Sequence, residues 1–357
     1  MVEWKKLGEV CSNMDSLRKP IKEDYRIKGP YPYYGASGIV DYIDSYIFDG
    51  DFLLVSEDGA NLTARTSPIA FSIRGKNWVN NHAHVLAFEN KITQKLVEVY
   101  LNSIDLSPWI NGASQPKLNQ ANLKTIPIPI PSLSEQSRIV SILDTFTSSI
   151  SNLKQQIEER RKQYEYERDL LLDLEGKEGV EMKKLGEVCK LERGVRVVKK
   201  DLQKEGVLPV YQNSLTPLGY YDKSNYPENT TFVICAGAAG EVGFSNKAFW
   251  AADDCTCVVC PSFVHSKYIY NYLISNQRIL RSQVRKASIP RLSKDVIGKL
   301  IVPLPPLSAQ SRIVSILDTF EQSISNLEEQ LAMREKQYEY YRNQLLTFEG
   351  EEERGKT

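Results

Sequence analysis

No apolar run in this 357-residue chain approaches the ~20 residues needed to span a bilayer. The opening stretch, Met1 to Val10, is charged and has no apolar signal core. With no membrane segment, the expectation is a soluble, cytoplasmic chain. Six cysteines are too few for a disulfide scaffold at this length. Cys255, Cys257, Cys260 and His265 invite a metal reading, but C-x-C-x2-C lacks the paired C-x2-C knuckles of a zinc site. A strand of small buried thiols, Cys255 to Cys260, is the expectation there, with no metal. No glycine-rich loop follows a first strand to hold a nucleotide. The string Gly350 to Thr357 fits G-x4-G-K-T, but it follows a helix, is filled with acid, and leaves no helix to present its N-terminus to phosphate. Asn61-Leu62-Thr63 is a glycosylation sequon only in a secreted protein.

What is present is enough to build cores: 41% of residues are hydrophobic and 25% charged. The length suits two domains of about 130 residues plus connections. Net charge is zero but unevenly spread. Residues 1–132 hold 14 basic and 14 acidic side chains, and 133–181 hold 7 and 11. Residues 182–306 hold 18 and 10, while 307–357 hold 6 and 10. A basic domain beside acidic helices implies an anionic partner for the domain and a different one for the helices.

The strongest signal is repetition. Lys5-Lys6-Leu7-Gly8-Glu9-Val10-Cys11 recurs as Lys183-Lys184-Leu185-Gly186-Glu187-Val188-Cys189. Gln136 to Phe146 is identical to Gln310 to Phe320, and Lys162 to Tyr166 matches Lys336 to Tyr340. Between these anchors, at about 12–125 and 190–300, the repeats diverge. The implied plan is variable domain, shared helix, variable domain, shared helix.

Ile139, Leu143, Phe146, Ile150, Leu153 and Ile157 fall at alternating spacings of four and three, as do Ile313, Leu317, Phe320, Ile324, Leu327 and Leu331. The pattern runs on to Leu174 and Phe348 and predicts a coiled-coil seam of about 54 Å in each repeat. Proline-rich stretches precede both helices, Ser134 and Ser308 are candidate N-caps, and Gly176 and Gly350 end the pattern. The economical way to cover both seams is to pair them within the chain. Packing of each helix on its own domain, or between chains, are the alternatives. The chain must return over a domain, so antiparallel pairing is the simpler geometry. Arg160 and Arg334 interrupt equivalent seam positions and either fix register or snorkel to solvent.

Asp51–Ser56, His84–Phe88 and Thr230–Cys235 read as strands, and Lys91–Ser103 and Ser266–Ser282 as helices. The expected fold is mixed α/β: two α/β domains, called target-recognition domains in the family named below, separated by two long helices that form an antiparallel coiled coil. Expected boundaries are 1–132 and 177–306 for the domains, 133–176 and 307–350 for the helices, and a disordered tail at 351–357.

This plan, with Leu133-Ser134-Glu135-Gln136 to Phe146 repeated from Leu307-Ser308-Ala309-Gln310, resembles the DNA specificity subunit of Type I restriction–modification systems over nearly the whole chain. The first domain carries further family-like strings: Tyr31 to Gly38, Ser56 to Asn61, Asn80 to His84, and Gly112 to Leu118. In the second, Leu208 to Ser214 stands opposite the first string and Cys235 to Gly240 opposite the second. Asp253-Asp254-Cys255-Thr256-Cys257 aligns with Asn80-Asn81-His82-Ala83-His84 and puts Cys255 and Cys257 opposite His82 and His84.

The resemblance implies that the two domains read different halves of a bipartite target on double-stranded DNA. Candidate contacts in the first are Tyr33, Tyr34 and Ser37; Ser56, Asp58, Asn61 and Arg65; Asn80, Asn81 and His82; and Gln115 and Lys117. In the second they are Tyr211, Gln212 and Asn213, with a basic run of Arg278, Arg281, Arg285, Lys286 and Arg291. Asn and Gln pair with adenine edges, Arg and Lys with guanine or phosphate. Arg278, Arg281 and Arg285 have the spacing of one helix face. No Asn/Asp-Pro-Pro-Tyr string is present to grip a flipped adenine, so the chain is expected to be non-catalytic. The resemblance implies two methyltransferase subunits carrying S-adenosylmethionine, and restriction subunits beside them. A coiled-coil scaffold with no DNA role is the alternative.

Overall fold

The computed structural model describes residues 2–112, 115–198, 200, 202–204, 206–286 and 288–348. The expected tail and Gly350 lie outside the described residues. Two compact units divide the chain: Met1–Asn152 with Leu331–Thr357, and Leu153–Gln330.

The first unit is built on a six-stranded sheet in the order Ser12–Asn13, Ala83–Ala87, Phe48–Ser56, Ala70–Val79, Lys28–Gly35, Gly38–Ile43. Leu53 to Ser56 are buried at every position, as a strand covered on both faces must be. Helix Lys91–Ser103 lays Leu96, Val97, Tyr100 and Leu101 into the core. Its start is fixed by Asn90, whose side chain accepts from the Ile92 and Thr93 amides. Strand Glu3–Lys6 pairs with Pro127–Ile130, so the proline-rich approach to the long helix is itself an edge strand.

The second unit repeats the plan in smaller sheets. Four strands run Lys190–Arg193, Cys255–Val259, Thr230–Ile234, Val242–Ser245, and three run Gly219–Tyr221, Leu208–Tyr211, Trp250–Ala251. The helix expected over Ser266–Ser282 breaks at Asn276 into Ser266–Ser275 and Gln277–Ser282. The shared LGEVC strings earn their repetition at the base of each unit. Leu7 and Leu185 are buried, and their amides donate to Ile126 and Leu300 carbonyls at 2.8 Å.

The long helices run Leu133–Leu172 and Leu307–Leu346. Ser134 and Ser308 are inside them. The capping oxygen of the first is Ser132 Oγ, which accepts from the Glu135 amide at 3.4 Å. In the first unit the start of one helix meets the end of the other: Phe146 stacks on Tyr341 with ring centroids 5.3 Å apart. In the second, Tyr164 meets Phe320 at 6.4 Å, and its hydroxyl donates to Glu321. The pairing is therefore antiparallel. Ile139, Leu143 and Leu346 also join the first unit's core, and Ile313, Leu317 and Leu172 the second's. Pairing within the chain and packing on the home domain thus occur together. Arg160 lies over the Phe320 ring at 5.9 Å and Arg334 over Phe146 at 5.7 Å. Neither snorkels freely; each caps an aromatic ring of the opposite helix.

Candidate nucleic-acid interface

Four segments converge in the first unit, held mainly by backbone. The Glu57 amide donates to the His82 carbonyl at 2.9 Å, and Leu118 N–H donates to the Glu57 carbonyl at 2.7 Å. The Gly59 amide reaches the Pro116 carbonyl at 3.3 Å, and Ser56 Oγ donates to Ala36 at 2.5 Å. Gly59 has φ +103°, a region that suits glycine.

The second unit reproduces these bonds. Cys235 N–H donates to Asp254 at 2.7 Å, Leu292 N–H to Cys235 at 2.8 Å, and Gly237 N–H to Pro290 at 3.3 Å. At Gly237, φ is +80° and an added Cβ would meet Asn213 Cβ at 2.8 Å. This pattern corrects the alignment of the repeats by one residue. Trp78 pairs with Tyr33 as Trp250 pairs with Val210, and Asp58 bridges Lys117 as Ala236 bridges Arg291. Asp254 therefore stands opposite His82 and Thr256 opposite His84, not Cys255 and Cys257. Glu57 faces Cys235, and Lys117 faces Arg291. The two tryptophans and the Pro-Lys-Leu/Pro-Arg-Leu pair were the sequence signals for this register.

The equivalent positions differ in charge. In the first unit Arg18 binds Glu57 at 2.7 Å and Asp15 at 3.4 Å, and Lys117 reaches Glu57 at 3.1 Å. His84 is buried with Nδ1 2.6 Å from Asp15 and Nε2 2.7 Å from the Leu118 carbonyl. Burial raises the Asp15 carboxyl, but the His84 hydrogen bond and charge outweigh it and hold the group below the usual carboxylate range. Glu57 is likewise held down, against burial, by Arg18, His84 and Lys117. Asp15, Glu57 and His84 place ligand-type atoms within 4.8 Å of one another, but cations and hydrogen-bond partners already engage them. In the second unit Arg193 takes the place of Asp15 in the register and donates to the Asp253 carbonyl at 2.6 Å. Cys235 Sγ lies 3.1 Å from Thr256 Oγ1, with its thiol raised by burial.

The candidate contacts separate into two groups. Ser37, Asn81, His82, Gln115 and Lys117 are exposed, and His82 Nδ1 lies 2.9 Å from Asp58. Tyr34 is half-buried. Tyr33 and Ser56 are buried, Tyr33 with its hydroxyl on the Ile21 amide, so neither offers its side chain to DNA. Asn80 is buried and caps the His82 amide, and Asn61 ties its own loop to Ser67. Arg65 binds the Leu101 and Ile104 carbonyls at a helix end. These five are framework. Ala113 and Ser114 lie outside the described residues.

In the second unit Tyr211 packs on Phe232 and Phe249, Gln212 is half-buried, and Asn213 is exposed. Arg278 and Arg281 share a short helix, but Arg285 lies beyond it and pairs with Arg291 along an extended bridge. The expected single face is therefore two adjoining patches. Arg281 lies 3.8 Å from Glu241. Among the described residues, no acid is within ion-pair distance of Arg278, Arg285, Lys286 or Arg291, all exposed. The cysteines here are structural: Cys255 donates to the Tyr211 and Gln212 carbonyls, and Cys260 lies 3.6 Å from Cys189.

A family model described as the Type I restriction modification DNA specificity domain matches residues 1–160 and again 177–333. The chain belongs to that family. It is 34% identical to a putative type I restriction enzyme specificity subunit of Haemophilus influenzae, over 97% of this chain and 96% of the relative. It is 31% identical to the EcoR124I/EcoR124II specificity subunit of Escherichia coli, over 97% and 94%. The fold matches an S subunit from M. genitalium with a TM-score of 0.71 at 15% identity, covering 98% of this chain and 96% of that one. The chain is thus a Type I specificity subunit. Among the described residues no helix is long and apolar enough to cross a membrane.

Proposed function

We propose that the two recognition domains read the two halves of a bipartite DNA target and thereby position methyltransferase and restriction subunits. One observation carries the reading. The same loops are held by the same main-chain bonds in both units, yet they present Glu57, Asp58 and Lys117 in one and Cys235, Ala236 and Arg291 in the other. A shared scaffold with exchanged chemistry is what two readers of different sequences require. The exposed cations at Arg278, Arg285, Lys286 and Arg291 suit phosphate or guanine. On this reading the exposed DNA contacts are Asn81, His82, Gln115, Lys117, Asn213 and this basic group.

The chain itself does no chemistry in this account. Two methyltransferase subunits, bound along the helices, would carry S-adenosylmethionine and the catalytic groups, in the cytoplasm. Replacing residues 12–125 with another recognition domain tests the division of labour. Sequencing of methylated sites should show one half of the target changed and the other intact. If both halves change together, the two-reader account is wrong. Purified chain given S-adenosylmethionine and DNA alone should transfer no methyl groups.

A further inference from the structure

We infer that His84 is a positioning residue of the first recognition domain: a buried imidazolium that clamps the Gln115–Leu118 stretch to the Asp15 loop. The argument begins with its two neighbours. Nδ1 faces a carboxylate oxygen of Asp15 at 2.6 Å, and Nε2 faces the Leu118 carbonyl at 2.7 Å. Both partners are acceptors only. A neutral imidazole has one N–H and satisfies one of them; filling both requires both nitrogens to carry protons. The side chain is 1% exposed, so water does not substitute for the missing donor.

The surroundings favour the charge. Asp15 and Glu57 are the acids facing the ring, Glu57 at 3.8 Å, and Arg18 and Lys117 are the cations that share them. Two carboxylates stand against Arg18, Lys117 and the imidazolium, a net charge of +1, and solvent screens the excess at Lys117, which is 53% exposed. Asp15 is in turn anchored to the sheet by the Val85 amide at 2.9 Å, and Leu118 to the Glu57 carbonyl. His84 thus ties together the three segments that carry His82, Asp58, Gln115 and Lys117 without touching the outer surface. The second domain holds the corresponding join without this ion: Thr256 stands at His84's place and bonds Cys235. The clamp is therefore private to one reader.

This inference rests on the two-reader account for its DNA consequence, but its proton count does not. The full chain has three histidines, His82, His84 and His265. Selective nitrogen-15 histidine labelling of the whole chain at neutral pH should show one ring with protons on both nitrogens. That signal should vanish in His84→Gln. If no ring carries both protons there, the clamp is refuted whatever the DNA result. In complex with its methyltransferase, His84→Gln should weaken target binding about tenfold, the loss of one buried charge-assisted bond. The loss should fall on one half: base changes in the first domain's half-site should cost less than in wild type, and changes in the other half the same. Asp15→Asn keeps the Leu118 bond and should give a smaller loss of affinity, while removing the carboxylate that calls for the second ring proton. Equal sensitivity of both halves, with the histidine signal intact in wild type, would leave the imidazolium standing and overturn its role in reading. No change in affinity would do the same.

Discussion

A chain cut to residues 1–181 should dimerise through its single long helix. In such a dimer the partner's helix occupies the place that residues 331–348 fill in the whole chain. The repeat fixes the substitutions. Leu172 replaces the buried Leu346, Leu171 replaces Leu345, and Tyr164 replaces Tyr338. Arg160 replaces Arg334 over the Phe146 ring, so that contact survives. Three contacts do not. Glu167 takes the place of Tyr341 and removes the stack on Phe146, about 0.5–1.5 kcal/mol. Leu174 takes the place of Phe348 and removes its edge contact with Trp4, a similar amount. Arg161, which pairs with Glu328 at 2.5 Å, would face Lys154 instead. Both members of that pair are about half exposed, so its loss counts for about 1 kcal/mol or less. The sum, about 1–4 kcal/mol, weakens the interface roughly 5- to 1,000-fold without removing its buried leucines. Sedimentation should show a dimer that dissociates on dilution. Glu167→Tyr with Lys154→Glu should tighten it about tenfold or more. Because a two-fold dimer presents the same reader twice, methylation with the partner subunit should mark an interrupted palindrome. A monomer that stays monomeric with both repairs would show that the seams are no longer interchangeable.

Replacing Arg285, Lys286 and Arg291 with Ala should weaken binding of the complex to DNA and reduce its salt slope by about 0.9 per lost phosphate contact; an unchanged slope would assign them to another surface. Asp15 and Glu57, both held below the usual carboxylate range, contribute stability that is present above about pH 4 and lost as pH falls through their lower native values. Acid should therefore loosen the first domain, and Asp15→Asn should flatten its melting temperature between pH 5 and 3; an unaltered profile would mean the ions do not stabilise it. Cys189 and Cys260 lie 3.6 Å apart just beyond the paired ends of two strands, with the Cys260 thiol lowered by its hydrogen bond from Cys189, whereas burial pushes the Cys11 thiol up to about 12. A thiol oxidant such as diamide should join Cys189 to Cys260 and spare Cys11, as peptide mapping would show. Retention of all six thiols would place the two sulfurs farther apart in solution.

The helices were legible because their signal is local. A four-three spacing of Ile139, Leu143, Phe146 and Ile150 specifies a helix and its buried stripe without knowledge of any other segment. Strand register is set by distant partners, and there the sequence reading slipped. Aligning Asp253 with Asn80 matched loop to loop, but the ladder is fixed by Trp78 against Tyr33 and Trp250 against Val210. A slip of one residue in a strand exchanges faces; here it set cysteines opposite histidines. The basic run failed for a related reason: helical spacing from Arg278 to Arg285 ignored the turn at Gln283, after which Arg285 joins Arg291. Tyr33 and Ser56 were expected to touch DNA because they belong to family-like strings, but those strings include the residues that build the loop as well as those it displays.

The distinction between building and displaying explains why such divergent domains keep one fold. The loop junctions rest on amide-to-carbonyl bonds: Glu57 to His82 and Leu118 to Glu57 in one domain, Cys235 to Asp254 and Leu292 to Cys235 in the other. Such bonds do not depend on which side chain the residue carries, proline apart. A position can therefore change from Glu to Cys, or from Asp to Ala, without undoing the junction. Buried charge is less forgiving, since an isolated ion inside a protein is costly unless paired. Asp15, Glu57 and His84 must then change as a set, and they do: Arg193, Cys235 and Thr256 replace all three. Single replacements within the set should be destabilising in either domain, while joint exchange is the route along which a new reader can arise. Arg291, exposed and with no acid within ion-pair distance among the described residues, has no such tie and is free to vary alone, whereas Lys117, bound to Glu57 at 3.1 Å, belongs to the set.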